Sequence, residues 1–490
     1  MILNEFEMKN FLVILFAPVL LLGCSELLDE VPEDRLAATN FYQSEADAEA
    51  ATLAIVERIR STELYVALFP LQVNVLDDYI EGRGTASEIS NYQGYSSFSI
   101  NRSDRMWIAF YQTIHRANTV LENVAPIDMD PVKRSQLLGE AYFWRAFCYY
   151  MLVRNWGGVP IRTKVSSSDA DIAQPRATEQ QVYDLIVEDL LVAEADLPGN
   201  QGLVGRPTSW AAKTMLADVY LTLGDWAKAS EKAKDVIEAG IFSLVQVSVP
   251  DDFLKVFGPD ITNSSEEIIA VKFSRSIGTG VPFYAHTAPA GYSIGGARVF
   301  LGNIASGFFD AWSDSDLRKE YNIYTSYKDA NGNTVDLPVE EPMLFRKFRD
   351  SQASAVFGHG CDYPLYRYPD ALLIFAEAEN EINNGPTAEA YEAINQVKRR
   401  AYGFDPNVAN PSVDLAGMTE EEFKDAILLE RAYEFMMECK RWYDLKRTGR
   451  ARSTMETIGK TFSDTHLLWP IPESEIQNNP AISPSDQNPI

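Results

Sequence analysis

The chain has 490 residues, with 70 acidic against 43 basic side chains and a formal charge of −27. Nucleic acid and anionic lipid both require a basic face, and none is visible along the chain. An apolar fraction of 46% supplies a sizeable core, and the length allows two to four units of usual size or one large body.

Residues 11–22 form an apolar run too short to cross a bilayer and of the length of a signal-peptide core. Upstream, Lys9 follows Glu5 and Glu7, which suits translation from Met8 better than from Met1. The run ends in Leu21-Leu22-Gly23-Cys24, which resembles a bacterial lipobox. The expectation is a signal peptide over 1–23, lipidation of Cys24 and an acidic tether over 24–40. Acyl chains on Cys24 anchor stably, at about 0.8 kcal/mol per buried CH₂. Once Cys24 is modified, Cys148, Cys361 and Cys439 cannot all pair, so no disulfide framework is implied.

Ser44, with Asp47 in the first turn, opens a helix to about residue 60. Residues 64–76 are apolar and ambiguous in period. Residues 77–102 read as a loop that holds Tyr79, Tyr92, Tyr95 and Phe98 among Gly, Ser and Asn. Helices follow over 104–123, with Trp107, Ile108, Tyr111, Ile114 and Leu121 inward, and over 131–154, stopped by Asn155-Trp156-Gly157-Gly158-Val159-Pro160. Thr178 and Gln181 make a capping box for a helix to about residue 196. Two helices over 209–223 and 226–239 meet at Gly224-Asp225, with Leu216, Ala217, Tyr220 and Ala229 at tetratricopeptide spacing. A second such pair, 369–383 and 387–400, carries Ala378 and Ala390 at the small positions. The two pairs are not contiguous, so a simple solenoid is not expected. Between them, residues 241–368 lose helical period. There, 267–273 reads as a strand and Asn331-Gly332 as a hairpin turn.

Residues 419–447 form the strongest helical stretch, with a Thr419/Glu422 capping box and Gly449 just past its end. Phe423, Ala426, Leu429, Tyr433, Met436 and Tyr443 form its expected core stripe. Glu430, Glu434 and Glu438 stack at four-residue spacing on the polar side, which requires arginines from elsewhere to interleave. A catalytic carboxylate pair is the sharper reading, but such a pair flanks a cleft rather than lying along one helix. After Phe462 the tail is extended, with Leu468-Trp469-Pro470-Ile471-Pro472 as an apolar clasp.

Little else carries chemistry. His115, His286, His359 and His466 are scattered, with no HExxH, Cys pair or P-loop, so no metal or cofactor is expected. Gly291-Tyr292-Ser293-Ile294-Gly295 matches a nucleophile elbow but lacks its strand and helix context. Asp329, Asn331 and Asn333 suggest calcium, yet Gly332 stands at the wrong loop position.

Several ordered segments resemble the SusD/RagB outer-membrane nutrient-binding lipoproteins of Bacteroidetes. They are the lipobox at Cys24, Ile114-His115-Arg116-Ala117-Asn118, Glu140-Ala141-Tyr142-Phe143-Trp144-Arg145-Ala146 and Trp156-Gly157-Gly158-Val159-Pro160. Tyr366-Arg367-Tyr368-Pro369-Asp370-Ala371-Leu372-Leu373, Ala376-Glu377-Ala378, Glu430-Arg431 through Asp444-Leu445 and Trp469-Pro470-Ile471-Pro472 complete the set. The resemblance implies a mainly α fold of four tetratricopeptide-like pairs with a loop-rich insertion over about 241–365. It implies a single body over 41–490, lipid-anchored at the cell surface of the outer membrane. It implies a SusC-like TonB-dependent transporter as partner and non-catalytic capture of oligosaccharides, or of peptides in one branch.

Sugars present flat C–H faces bordered by hydroxyls, so their sites favour exposed aromatic rings with polar neighbours. The candidates are Tyr79, Tyr92 and Tyr95 in the first loop-rich stretch and Tyr292, Trp312 and Tyr324 in the second. Asp78, Asn91 and Arg298 are their expected polar neighbours. Trp107, Trp144, Trp210, Trp226 and Trp442 lie in helical stretches and are expected to pack.

Overall fold

A computed structural model describes residues 41–166, 169–200, 202–275, 300–329, 331–339, 342–350, 352–353 and 358–489. The fold is mainly α. Among the described residues, seven helices of seven or more residues precede the insertion: α1 (Glu45–Ile59), α2 (Leu68–Asn74), α3 (Ser97–Val124), α4 (Pro131–Trp156), α5 (Glu179–Asp196), α6 (Ser209–Leu223) and α7 (Trp226–Glu238). Short α8 (Phe308–Ala311) and α9 (Leu317–Asn322) lie within it. Then come α10 (Tyr368–Asn383), α11 (Ala388–Ala401), α12 (Glu420–Glu434), α13 (Arg441–Arg447) and α14 (Glu473–Asn478).

The long helices form a row in which α1 packs on α3, α3 on α4, α4 on α5, α5 on α6, α6 on α7, α7 on α10 and α10 on α11. The two tetratricopeptide-like pairs are therefore neighbours in space, although the insertion separates them in sequence. Ala217, Ala229, Ala378 and Ala390 are all fully buried, as their small volume at the helix contacts requires. Gly224 closes the first turn in the left-handed region, at φ 73°, and Asn384 does the same for the second at φ 52°. Capping boxes at Thr178/Gln181 and Thr419/Glu422 open α5 and α12 as expected.

Three sequence expectations change. Helix α3 begins at Ser97, capped by Ser96, rather than near residue 104, so the first loop-rich stretch is shorter than its composition suggests. Ile108, placed inward, is 42% exposed. The stretch over 419–447 is not one helix. It breaks at Phe435–Lys440, where Met437 and Cys439 take φ values of 65° and 57°. Left-handed non-glycine residues cost of order 1–3 kcal/mol each.

The break lets Glu438 join Glu434 in a buried charge network. Arg367 donates to Glu438 from Nε and Nη2 (3.0 and 2.7 Å), and from Nη1 to Glu266 and Glu434 (both 2.9 Å). Arg400 reaches Glu266 and Glu434 at 2.8 and 2.6 Å, and Arg318 reaches Glu430 and Glu434 at 2.8 and 3.0 Å. Burial would raise the Glu434 carboxyl, but Arg400, Arg367 and Arg318 outweigh it and hold it well below the usual carboxylate range. Burial pushes Lys347 down to about 8, against the pull of Glu438. The three glutamates thus belong to the buried stripe with Phe423 and Ile427, while Leu429, expected inward, is exposed. The arginines do interleave, and among the described residues this buried network leaves no cleft beside the glutamates for a catalytic pair.

Short strands run through the insertion and tie it to the first loop-rich stretch: β1 (Ile80–Gly82), in that stretch, pairs antiparallel with β3 (Phe300–Gly302), and β2 (Glu267–Val271) with β8 (Tyr363–Arg367). β4 (Ile323–Tyr324) pairs with β7 (Leu344–Phe345), and β5 (Ser326–Lys328) with β6 (Thr334–Asp336). Asn331-Gly332 turns the β5–β6 hairpin. Asp329 accepts from the backbone N–H groups of Asn331 and Asn333, each at 2.8 Å, which explains its spacing without calcium. The clasp is buried: Trp156 Nε1 donates to the Pro470 carbonyl at 3.0 Å and stands edge-on to Trp469.

Candidate ligand-binding face

The β1–β3 pairing joins the two aromatic-rich stretches. Ile80 stands opposite Gly302 and Gly82 opposite Phe300. Asn303 reinforces the junction, donating its N–H to the Tyr79 carbonyl at 2.9 Å and Nδ2 to the Asp78 carbonyl at 3.3 Å. Gly302 N–H donates to the Met343 carbonyl, just before β7. A Cβ at residue 302 would stand 2.8 Å from Met343 Sδ, so a larger residue here would force the Met343 side chain to shift. The β1–β3 and β4–β7 pairs are separate two-stranded ladders, laid side by side through β3 and β7 as one row of short strands.

The junction is made by sealing rings inside rather than displaying them. Tyr79, 1% exposed, stacks on Phe308 with centroids 4.7 Å apart. Phe308 packs against Trp312, and Trp312, also 1% exposed, stacks on Tyr433 of α12 at 4.4 Å. Tyr92 is buried between Trp442 and Phe462, its hydroxyl donating to the Leu76 carbonyl at 2.6 Å. Asp78 is buried and accepts a bidentate pair from Arg441 Nε and Nη2 at 2.8 and 2.7 Å. The expectation that Tyr79, Tyr92 and Trp312 form open platforms, with Asp78 beside a ligand, is corrected accordingly. These stretches carry few aliphatic side chains, so their rings become the local core, where each buries roughly 150–250 Å². Tyr95 is half-buried, and burial raises its hydroxyl pKa. Tyr324 is also buried, but it packs with Leu301, Leu337 and Leu344 in a small separate cluster and lines a cleft. Asn91 is half-buried and donates to Ser87 Oγ. Tyr292, Arg298 and the Gly291–Gly295 motif lie outside the described residues.

That cleft, about 570 Å³, is walled by Phe309 and Ile323 and rimmed by Asp310, Glu320, Thr325 and Ser326. Its cations are turned to the protein: Lys319 donates to the Trp312 carbonyl and Asp314, and Arg346 to the carbonyls of Glu320 and Tyr321. The rim thus offers mainly oxygen acceptors.

At the other end of the strand row stands a residue that sequence reasoning passed over. Phe98, in the first turn of α3, is 61% exposed. Asn101 beside it is exposed. Arg102 donates Nη1 to the Thr85 carbonyl at 2.9 Å and ties this turn to the loop after β1. Gly82 pairs with Phe300, the first described residue after 276–299. The available signal was the Ser96 cap, which puts Phe98 in a first turn ahead of the helix's buried stripe.

The described residues thus form a row of helical hairpins carrying a loop-rich face. The chain's family follows from comparison. Residues 28–221 match a SusD-like family model described as "Starch-binding associating with outer membrane", and residues 312–490 match the SusD family model. The chain belongs to the SusD/RagB family. It is 27% identical to SusD-like protein P2 of Formosa agariphila over 97% of this chain and 98% of that one. In structure it is similar to a SusD homolog from Bacteroides thetaiotaomicron, with a TM-score of 0.80 at 22% identity, covering 92% of this chain and 98% of that one. It is also similar to a laminarin-binding SusD-like protein, with a TM-score of 0.74 at 24% identity, over 91% and 100% of the two chains.

Proposed function

We propose that this protein captures a glycan at the cell surface without altering it and delivers it to a SusC-like TonB-dependent transporter. One observation carries the reading: β1–β3 pairing sets the exposed Phe98 corner and the Tyr324 cleft at the two ends of one strand row. An exposed ring for the sugar's C–H face and acceptors for its hydroxyls are what saccharide recognition asks for. The laminarin-binding relative supports the ligand class. The contacts we assign are Phe98, Asn101 and the cleft rim, with Tyr292 and Arg298 from the adjoining stretch. Anchorage is through Cys24. The family description as associating with the outer membrane supports this, and among the described residues no helix is long and apolar enough to cross a membrane.

An oligopeptide is the second reading, favoured by the three carboxylates among the cleft's lining residues, Asp310, Asp314 and Glu320. A glycan array and a peptide library, probed with the soluble chain lacking residues 1–24, separate the two. Phe98→Ala is expected to weaken glycan binding about three- to tenfold, the worth of one aromatic contact. Its melting temperature should be unchanged, because the ring is exposed. Unaltered affinity removes Phe98 from the site, and cleavage products after prolonged incubation overturn the binding-only reading.

A further inference from the structure

A second cleft, of about 580 Å³, opens where α3 faces Arg58 of α1, Arg162 in the segment after α4, and Glu475 of α14. Its charged lining is Arg58, Arg116 and Arg162, with His115 beside them, against one carboxylate, Glu475. This sign is opposite to that of the chain as a whole. The arginines here are also used differently from those of the core. Arg367 directs every guanidinium nitrogen at a carboxylate, and Arg399 holds both Glu392 and Asp414. In the cleft each guanidinium spends one nitrogen on the protein. Arg58 Nη1 donates to Glu63, Arg162 Nη2 to Glu475 (2.9 and 2.8 Å), and Arg116 Nη1 to the Ala54 carbonyl. The Nε atoms of Arg58 and Arg162 have no protein acceptor.

The cleft is preorganised. Arg162 N–H donates to the Tyr149 hydroxyl at 2.6 Å, and its carbonyl accepts from Asn118 Nδ2 at 2.9 Å. Its guanidinium lies over the Tyr111 ring, 4.9 Å from the centroid. Trp107 Nε1 donates to Glu475 at 3.4 Å and so shares the one acid. Ile108, 42% exposed, gives an apolar floor beside Gln112. Planar guanidinium forks match carboxylate and sulfate oxygens two at a time.

We infer that this cleft binds an oxyanion-bearing saccharide, its carboxylate or sulfate ester seated on Arg116 and Arg162 and its ring on Ile108. The saccharide part rests on the glycan-capture reading, whereas the oxyanion part rests on the cleft alone.

Calorimetric titration of the soluble chain with a uronate oligosaccharide, a sulfated oligosaccharide, a neutral one of equal length and inorganic sulfate tests it. One anionic saccharide is expected to bind, and which one does identifies the acid group. Its affinity should fall at least tenfold in R116Q/R162Q and fall with added salt, but stay at the parent value in E389Q, an exposed position outside both clefts. Arg116 is exposed, so R116Q alone, with a smaller loss, serves if the double variant fails to fold. Binding of neither anionic saccharide, equal binding of the neutral one in this cleft, binding of sulfate alone, or full affinity in both arginine variants overturns the inference. A neutral probe that binds the parent and R116Q/R162Q alike, while neither anionic saccharide binds, sinks this cleft and leaves the glycan-capture reading standing.

Discussion

Replacing Arg367 with Met tests the claim that buried charge pairing joins the insertion to the helical frame. The side chain is 1% exposed and makes five hydrogen bonds, to Glu266, Glu434 and Glu438 side chains and to the Glu434 carbonyl. Met fills the volume but leaves three buried carboxylates facing Arg318, Arg400 and Lys347 alone. Removing one partner from such a pair costs roughly 3–5 kcal/mol. An exposed pair such as Lys234–Glu389, with side chains 41% and 64% exposed, is worth about 0–1 kcal/mol. Urea unfolding of R367M, E389Q and the parent, compared at constant m, should therefore show a large midpoint drop for the first and almost none for the second. R367K should recover little, because an ammonium lacks the planar fork that spans three acids. If R367M loses less than about 1 kcal/mol, the network does not hold the insertion down.

Three further outcomes are expected. Tyr79→Ala empties the space against Phe308 and should cost about 3–5 kcal/mol in denaturant, with binding of the folded fraction retained; reduced affinity at full stability would return Tyr79 to the site. Asp444 is held down to about 2, because Arg431 and Arg447 outweigh burial. Its contribution, about 2 kcal/mol, is therefore present above its ordinary value of 3.8 and lost as pH falls through 2. D444N should flatten the stability-against-pH curve in that window, and an unchanged slope there refutes the assignment. Cys24→Ala should move the protein from the membrane to the soluble fraction and abolish incorporation of labelled fatty acid. Persistent membrane association would point to another anchor.

The regular elements were legible because their signals are local. Capping boxes at Thr178 and Thr419 and small residues at Ala217 and Ala378 are read within one turn or one helix contact. The Tyr366–Asp370 segment was recognisable as a string, and its physical content is now plain: Tyr366 donates to Asp218, Arg367 is the hub of the charge network, and Asp370 accepts from the Arg367 N–H at the start of α10. What was not legible depends on distant partners. Glu430 and Glu434 were legible as carboxylates in need of arginines, but not which ones, because Arg318, Arg367 and Arg400 come from distant segments. Tyr79 and Trp312 looked available because loops have no period to assign a face, and the β1–β3 pairing that buries Tyr79 joins residues from opposite ends of the fold. The break after Glu434 carries no Gly or Pro to announce it.

β2 and β8 stand side by side, Glu267 opposite Arg367 and Val271 opposite Tyr363, although the whole excursion separates them. The loop-rich region thus leaves the frame and returns to it through a single narrow neck. Lengthening or shortening an exposed loop beyond that neck, away from the Trp312 and Arg318 contacts with α12, costs only loop-closure entropy, about 0.6 kcal/mol per doubling. A lineage can therefore vary those loops, and the face they present, while the helical row beneath stays as it is.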